Sequence, residues 1–188
     1  MDELRKLNPK YSILDRPIPK GKSEINLSTF ALLFSEIVSY SQSRVMDTEE
    51  LHKRLSDIGK HVGSRYLDLL WYREKGFKRE NRILQVLLFV KSQLYKSLFG
   101  KEADKLEVAC DSELTYYLSE KEALVNRYIS PPQENKGINC AAFNAGIVEG
   151  FICGLGFDCT VTCHWHKGTT LMIKFHDSVL QKIKQVGR

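Results

Sequence analysis

Cysteine and histidine crowd into one short stretch of this chain, Cys159, Cys163, His164 and His166, and zinc binding is the chemistry such a set suggests. The same stretch alternates as a β-strand does, with Phe157, Cys159, Val161, Cys163 and Trp165 on one side. Both histidines then face away from the cysteines. The cysteines themselves stand about 13 Å apart at roughly 3.3 Å per residue, whereas sulfurs sharing one zinc must each lie about 2.3 Å from it. Their neighbours are apolar, so that face reads as core and no metal is expected. Gly154-Leu155-Gly156-Phe157 has the letters of a carboxylate-binding loop of peptide-recognition domains. It follows a helix and leads into a strand, which is the place of a helix C-cap and turn. Neither a phosphate-cradling glycine loop ending in Lys-Ser/Thr nor a Gly-x-Ser-x-Gly elbow occurs. The acids and bases Glu36, His52, His61 and Glu149 are scattered over three helices without a spaced acid–base pair. No catalytic residue and no cofactor are expected.

The elements that carry these residues can be read from periodicity. Ser28 can cap a first helix in which Phe30, Leu33, Phe34, Ile37 and Val38 recur at helical spacing. Ala31, Leu32 and Tyr40 fill the rest of its circumference, so it needs cover on two sides, one supplied by its own core and one by another chain. A second helix starts at Asp47 or Thr48, ahead of Glu49 and Glu50, carries Leu51, Leu55, Ile58 and Val62, and runs to Gly76. Gly59 and Gly63 share one face of it, where another element can approach closely. A third helix from about Arg79 to Phe99 stops at Gly100. Leu114 to Leu118 and Ala123 to Ile129 flank a polar Ser119–Glu122 stretch and predict a hairpin ending at Pro131-Pro132. Asn139 to Leu155 predicts a fourth helix with a small-residue stripe of Ala142, Gly146, Gly150 and Gly154. Phe157 to Trp165, a Lys167-Gly168 turn and Thr170 to Phe175 give a second hairpin, and a tail helix begins near Ser178. The order α-α-α-β-β-α-β-β-α is that of an α+β plait with a four-stranded antiparallel sheet and helices packed on it.

Composition sets the limits around that fold. At 188 residues and 43% hydrophobic, the chain supports one sizeable core. The charge of +5 is mildly basic and suits acidic surfaces rather than nucleic acid. The longest apolar runs, Phe30 to Phe34 and Val86 to Val90, are too short to span a bilayer, and no signal segment opens the chain. Five cysteines without framework spacing read as reduced thiols. Residues 1–25, with Pro9, Pro17 and Pro19 among mixed charges, predict an extended arm ahead of a single domain at 26–188. Arg73 to Arg82 holds five basic and two acidic residues, a net +3. Lys75, Lys78, Arg79 and Arg82 there form a candidate membrane-facing patch, each worth about 1 kcal/mol against anionic lipid.

Several segments resemble one family. Ile58-Gly59-Lys60-His61-Val62-Gly63-Ser64-Arg65 is similar to the second-helix signature of the α/β-plait core subunits of TRAPP, the trafficking protein particle complex. Phe99 to Glu107 and the run His164-Trp165-His166-Lys167-Gly168-Thr169-Thr170-Leu171-Met172-Ile173-Lys174-Phe175 narrow the resemblance to the subunit 5 branch of that family. With Phe30 to Glu36 and Asn139 to Glu149, it covers about residues 25 to 176. The resemblance implies a plait domain that dimerises through its first two helices. Its expected partners are the central acylated plait subunit (subunit 3) and a smaller longin-fold subunit. The implied assembly tethers vesicles and releases nucleotide from a Rab GTPase in ER-to-Golgi transport, Golgi traffic and autophagy. It would be cytoplasmic, peripheral at cis-Golgi and endoplasmic reticulum membranes. The acylated cysteine of the central subunit has no counterpart, since Glu80 or a neighbour aligns there and no cysteine lies between Met1 and Ala109. For the partner interface the sequence nominates Phe30, Leu33, Phe34 and Ile37 with Leu51, Leu55 and Ile58. The alternative function is a plait domain that binds a small apolar ligand or lipid.

Overall fold

Asn26 opens the first helix: its backbone is extended and its side-chain oxygen accepts the N–H of Ser28 at 3.0 Å, the capping geometry that satisfies an otherwise orphaned donor. The cap expected at Ser28 is thus two residues earlier. The computed structural model describes residues 25–73, 82–110, 112, 114–130, 137–166 and 168–179. The helices are α1 (Leu27–Gln42), α2 (Thr48–Arg73), α3 (Ile83–Phe89), α4 (Tyr95–Phe99), α5 (Leu124–Arg127) and α6 (Ala142–Gly154). A π turn, Val90–Leu94, joins α3 to α4 in one rod that ends at Gly100 with φ +75°, the left-handed stop read from the sequence. At that turn the Lys91 carbonyl accepts the N–H of Ala103 at 3.0 Å, tying the rod to the start of the sheet.

The strands are β1 (Lys105–Val108), β2 (Thr115–Glu120), β3 (Cys159–Trp165) and β4 (Thr169–Phe175). They form one antiparallel sheet in the order β1-β2-β4-β3, two hairpins joined through β2 and β4. The α+β plait class and the two-hairpin sheet stand. The strand expected at Ala123 to Ile129 is instead the short helix α5, entered from an extended Ala123; Ala123 and Val125 are both buried, as they would be in a strand. Its place in the first hairpin is taken by β1, an edge strand of only four residues, two of them charged. The expected tail helix and N-terminal arm lie outside the described residues, apart from Ile25 and Asp177 to Val179.

One core lies between the sheet and the α3–α4 rod with α6, around Leu87, Leu94, Leu118, Phe151 and Ile173. A second joins α1, the start of α2, α5 and the start of α6 around Phe34, Leu51, Leu55, Val125 and Ala141. Between α2 and α6 the backbones nearly touch. A Cβ placed on Gly59 or Gly63 would collide with the carbonyls of Phe143 or Ile147. One placed on Gly146 or Gly150 would collide with those of Ser56 or Lys60. Only hydrogen fits at these four positions.

Candidate partner interface

The first helix divides its apolar residues between two opposite faces. Phe34, Val38 and Ser41 turn inward; the Phe34 ring lies 5.3 Å from that of Phe143 and 5.8 Å from that of Phe30. Leu32 (72% exposed), Leu33 (60%) and Tyr40 (54%) turn outward together with Thr29 and Glu36. At 1.5 Å per residue the row from Leu32 to Tyr40 runs about 12 Å along the helix. Arg44 stands over the Tyr40 ring, its guanidinium carbon 4.3 Å from the centroid, and closes one end of the row with a cation.

The nominated residues separate on this division. Leu33 is on the open face, and Phe30, Ile37 and Ile58 are half-buried at its margins. Phe34, at 3% exposure, Leu51 and Leu55 are covered by the chain's own residues. Periodicity showed that α1 has two apolar sides, Leu32 and Tyr40 among them, but not which one α6 and α5 would claim, and the nominated set left those two out. Of the basic patch, Lys75, Lys78 and Arg79 lie outside the described residues, and Arg82 is exposed at the N-terminus of α3.

Two concavities border α2 and α6. An apolar one of about 440 Å³ is lined by Leu27, Phe30, Leu98, Phe99, Phe143 and Ile147, under the first turn of α1. A polar cleft of about 410 Å³ runs between α2 and β3 over Ala142 and Ala145 of α6. In it Lys60 pairs with Glu149 at 2.9 Å, and the hydrogen bond to Glu149 is the main reason the lysine is held above its ordinary pKa. At the other end of the cleft the ring Nε2 of His52 accepts the N–H of Asn139 at 2.8 Å. Burial lowers the pKa of His52, and Glu49 and Asp47 offset part of that.

The residues weighed for chemistry do not converge. His164 and His166 are exposed on the outer side of the sheet, and His164 contacts Thr162 Oγ1 at 2.8 Å. Cys159 is buried and Cys163 half-buried on the inner side, and all five cysteines are free thiols. Among the described residues no three His, Cys, Asp or Glu side chains stand close enough to hold a metal. Trp165, read as core, is 57% exposed at the end of the edge strand β3. Glu36 is exposed on the open face of α1, and among the described residues no helix is long and apolar enough to cross a membrane.

The family model "Transport protein particle (TRAPP) component" matches residues 30–176. Trafficking protein particle complex subunit 5 of Homo sapiens is 52% identical over 180 residues, 96% of each chain. The protein of that name from Dictyostelium discoideum is 44% identical over 91% of this chain and 96% of its own. Among solved structures, a trafficking protein particle complex subunit 3 from Naegleria fowleri, described as covalently bound to palmitic acid, superposes with a TM-score of 0.72. It covers 81% of this chain and 96% of its own at 13% identity, a likeness of fold.

Proposed function

The chain belongs to the TRAPP component family, and from that premise we propose that it is a non-catalytic scaffold of the TRAPP complex, pairing with the acylated plait subunit 3 through the outer face of α1. The complex is a vesicle tether and Rab nucleotide-exchange factor acting in ER-to-Golgi transport, Golgi traffic and autophagy at cis-Golgi and endoplasmic reticulum membranes. This subunit holds its shape rather than contacting the nucleotide. A smaller longin-fold subunit docks on a second surface. The observation that carries the reading is the outward row of Leu32, Leu33 and Tyr40 on a helix whose opposite face already fills a core. An exposed apolar row of this kind is a partner surface more often than an idle one. Co-expression with subunit 3 is the test. The scaffold role predicts a soluble one-to-one pair and an aggregating or self-associating lone chain; a lone chain that stays monomeric, soluble and indifferent to subunit 3 refutes it.

A second reading has one observation behind it. The apolar cavity of about 440 Å³ under α1 is of a size that holds small ligands, and the Naegleria subunit 3 of the same fold carries palmitic acid. Lipid co-purifying with this chain, and lost in Phe99→Trp, would favour binding of an apolar ligand in addition to scaffolding.

A further inference from the structure

β3 is an edge strand whose two halves are treated differently. Its even-numbered residues hydrogen-bond to β4, as the flanking bonds from His176 N–H to Asp158 and from His166 N–H to Gly168 require. Cys159, Val161, Cys163 and Trp165 therefore turn their backbone groups outward. In the first half side chains occupy two of those groups: the Cys159 carbonyl accepts the Cys153 thiol at 3.6 Å, and Val161 N–H donates to Glu149 Oε2 at 3.1 Å. Glu149 is itself fixed by Lys60. Side chains block the edge there, a known defence against unwanted pairing. In the second half, the outward groups of Cys163 and Trp165 bond to no other residue among those described.

The open half also faces a slot of the right shape. α2 lies against α6 and forms the far wall of the cleft whose near wall is β3. Lys60 is level with Val161 through Glu149, and His52 is near Cys163, since Asn139 bonds the ring and its carbonyl accepts the Cys163 thiol at 3.9 Å. The open half of β3 thus looks toward Glu49, His52 and Lys53. Unpaired N–H and C=O groups alternating along a strand are complementary to another extended backbone and to little else.

We propose that Cys163 to Trp165 receives an extended segment of a neighbouring subunit as a fifth strand, laid over the first turns of α2. The proposal rests on the reading of this chain as a complex subunit. Glu49 and Lys53, opposite in charge and one turn apart, select charged side chains of complementary order on the segment, and exposed Trp165 covers its end.

The assembled complex is the material for the test. Residue-resolved amide exchange should find Cys163 and Trp165 slowed at least a hundredfold relative to exposed amides. A photo-crosslinker at His164 should capture another subunit. Cys163→Pro removes an outward N–H and no ladder bond, a change edge strands tolerate; it should weaken retention of the captured subunit at least tenfold, while Cys163→Ala leaves it unchanged. Trp165→Pro serves the same purpose if Cys163→Pro does not fold. Freely exchanging amides, a crosslink only within this chain or to a second copy of it, or proline variants that assemble as wild type does would each overturn strand addition. A chain that enters no complex would instead refute the scaffold role.

Discussion

A buried carboxyl and a half-buried imidazole hold loops in place, and their protonation bears on how the fold responds to pH. Glu120, at the end of β2, is raised in pKa mainly by burial; Lys101, with Nζ 3.1 Å from Oε1, opposes that. The same Lys101 Nζ, which carries three N–H groups, also donates to the Glu122 carbonyl at 2.7 Å. A carboxyl raised on folding favours the folded state below its unfolded pKa and loses that contribution as pH rises through the folded value. Glu120→Gln should therefore flatten the decline in stability above pH 4.5. Lys101→Met leaves the carboxylate without its cation and should cost about 1–2 kcal/mol at neutral pH, discounted because the lysine is half exposed. Denaturant titration across pH 4 to 8 reads both; a Lys101→Met curve matching wild type sinks the assignment. His52 has the opposite sign. Its pKa is lowered, so its contribution is complete above 6.5 and is lost as pH falls through the folded value, where a protonated ring cannot accept the Asn139 N–H. His52→Leu should cost about 1–3 kcal/mol at pH 7 by orphaning that donor and should abolish the acid-side loss. A variant that keeps the wild-type slope between pH 5 and 7 would show that another group is responsible.

At the scale of elements, the close approach of α2 and α6 is the feature the amino-acid order states most directly. Glycines four apart on two helices, Gly59 and Gly63 against Gly146 and Gly150, leave room for one backbone to rest on the other. Ordinary overpacking costs about 1–3 kcal/mol, but here the obstructing atoms are main-chain carbonyls that cannot rotate away. Gly146→Ala should therefore lose at least about 3 kcal/mol, seen as a fall in thermal midpoint of some 6–12 °C or as loss of soluble protein. Gly154→Ala meets only the end of the Leu67 side chain and should cost far less; equal effects would contradict the seam. Other elements were less legible for physical reasons. β1 alternates as Lys105-Leu106-Glu107-Val108, but four residues at an edge are too few for that alternation to stand out. The π turn at Val90–Leu94 leaves no mark, because Val90 and Leu94 stand at ordinary helical spacing around Lys91, Ser92 and Gln93. α5 buries Ala123 and Val125 as a strand would, and only its contacts with α1 and α6 distinguish the two.

Across the whole molecule, helical spacing shows that α1 must be covered twice but is silent on which side belongs to the chain itself, because both sides are equally apolar. Six of the seven nominated interface residues are partly or wholly taken up inside the fold, and Leu33 alone is wholly on the open face. That makes Leu33 and its neighbour Phe34 a discriminating pair. Leu33→Asp places a charge on a surface already in water, so the fold should keep its stability to within about 0.5 kcal/mol. The lone chain should become more soluble, and binding to subunit 3 should fall at least thirtyfold, the equivalent of about 2 kcal/mol at an interface centre. Phe34→Ala should do the reverse in kind: it opens a cavity beside Phe143, costs about 3–5 kcal/mol of folding stability, and weakens pairing only as far as the chain unfolds. Chemical denaturation of each variant and titration against subunit 3 separate the two losses. If Leu33→Asp binds as wild type does while Phe34→Ala, still folded at low temperature, does not, the partner approaches from another side and the outer row of α1 is not the pairing surface.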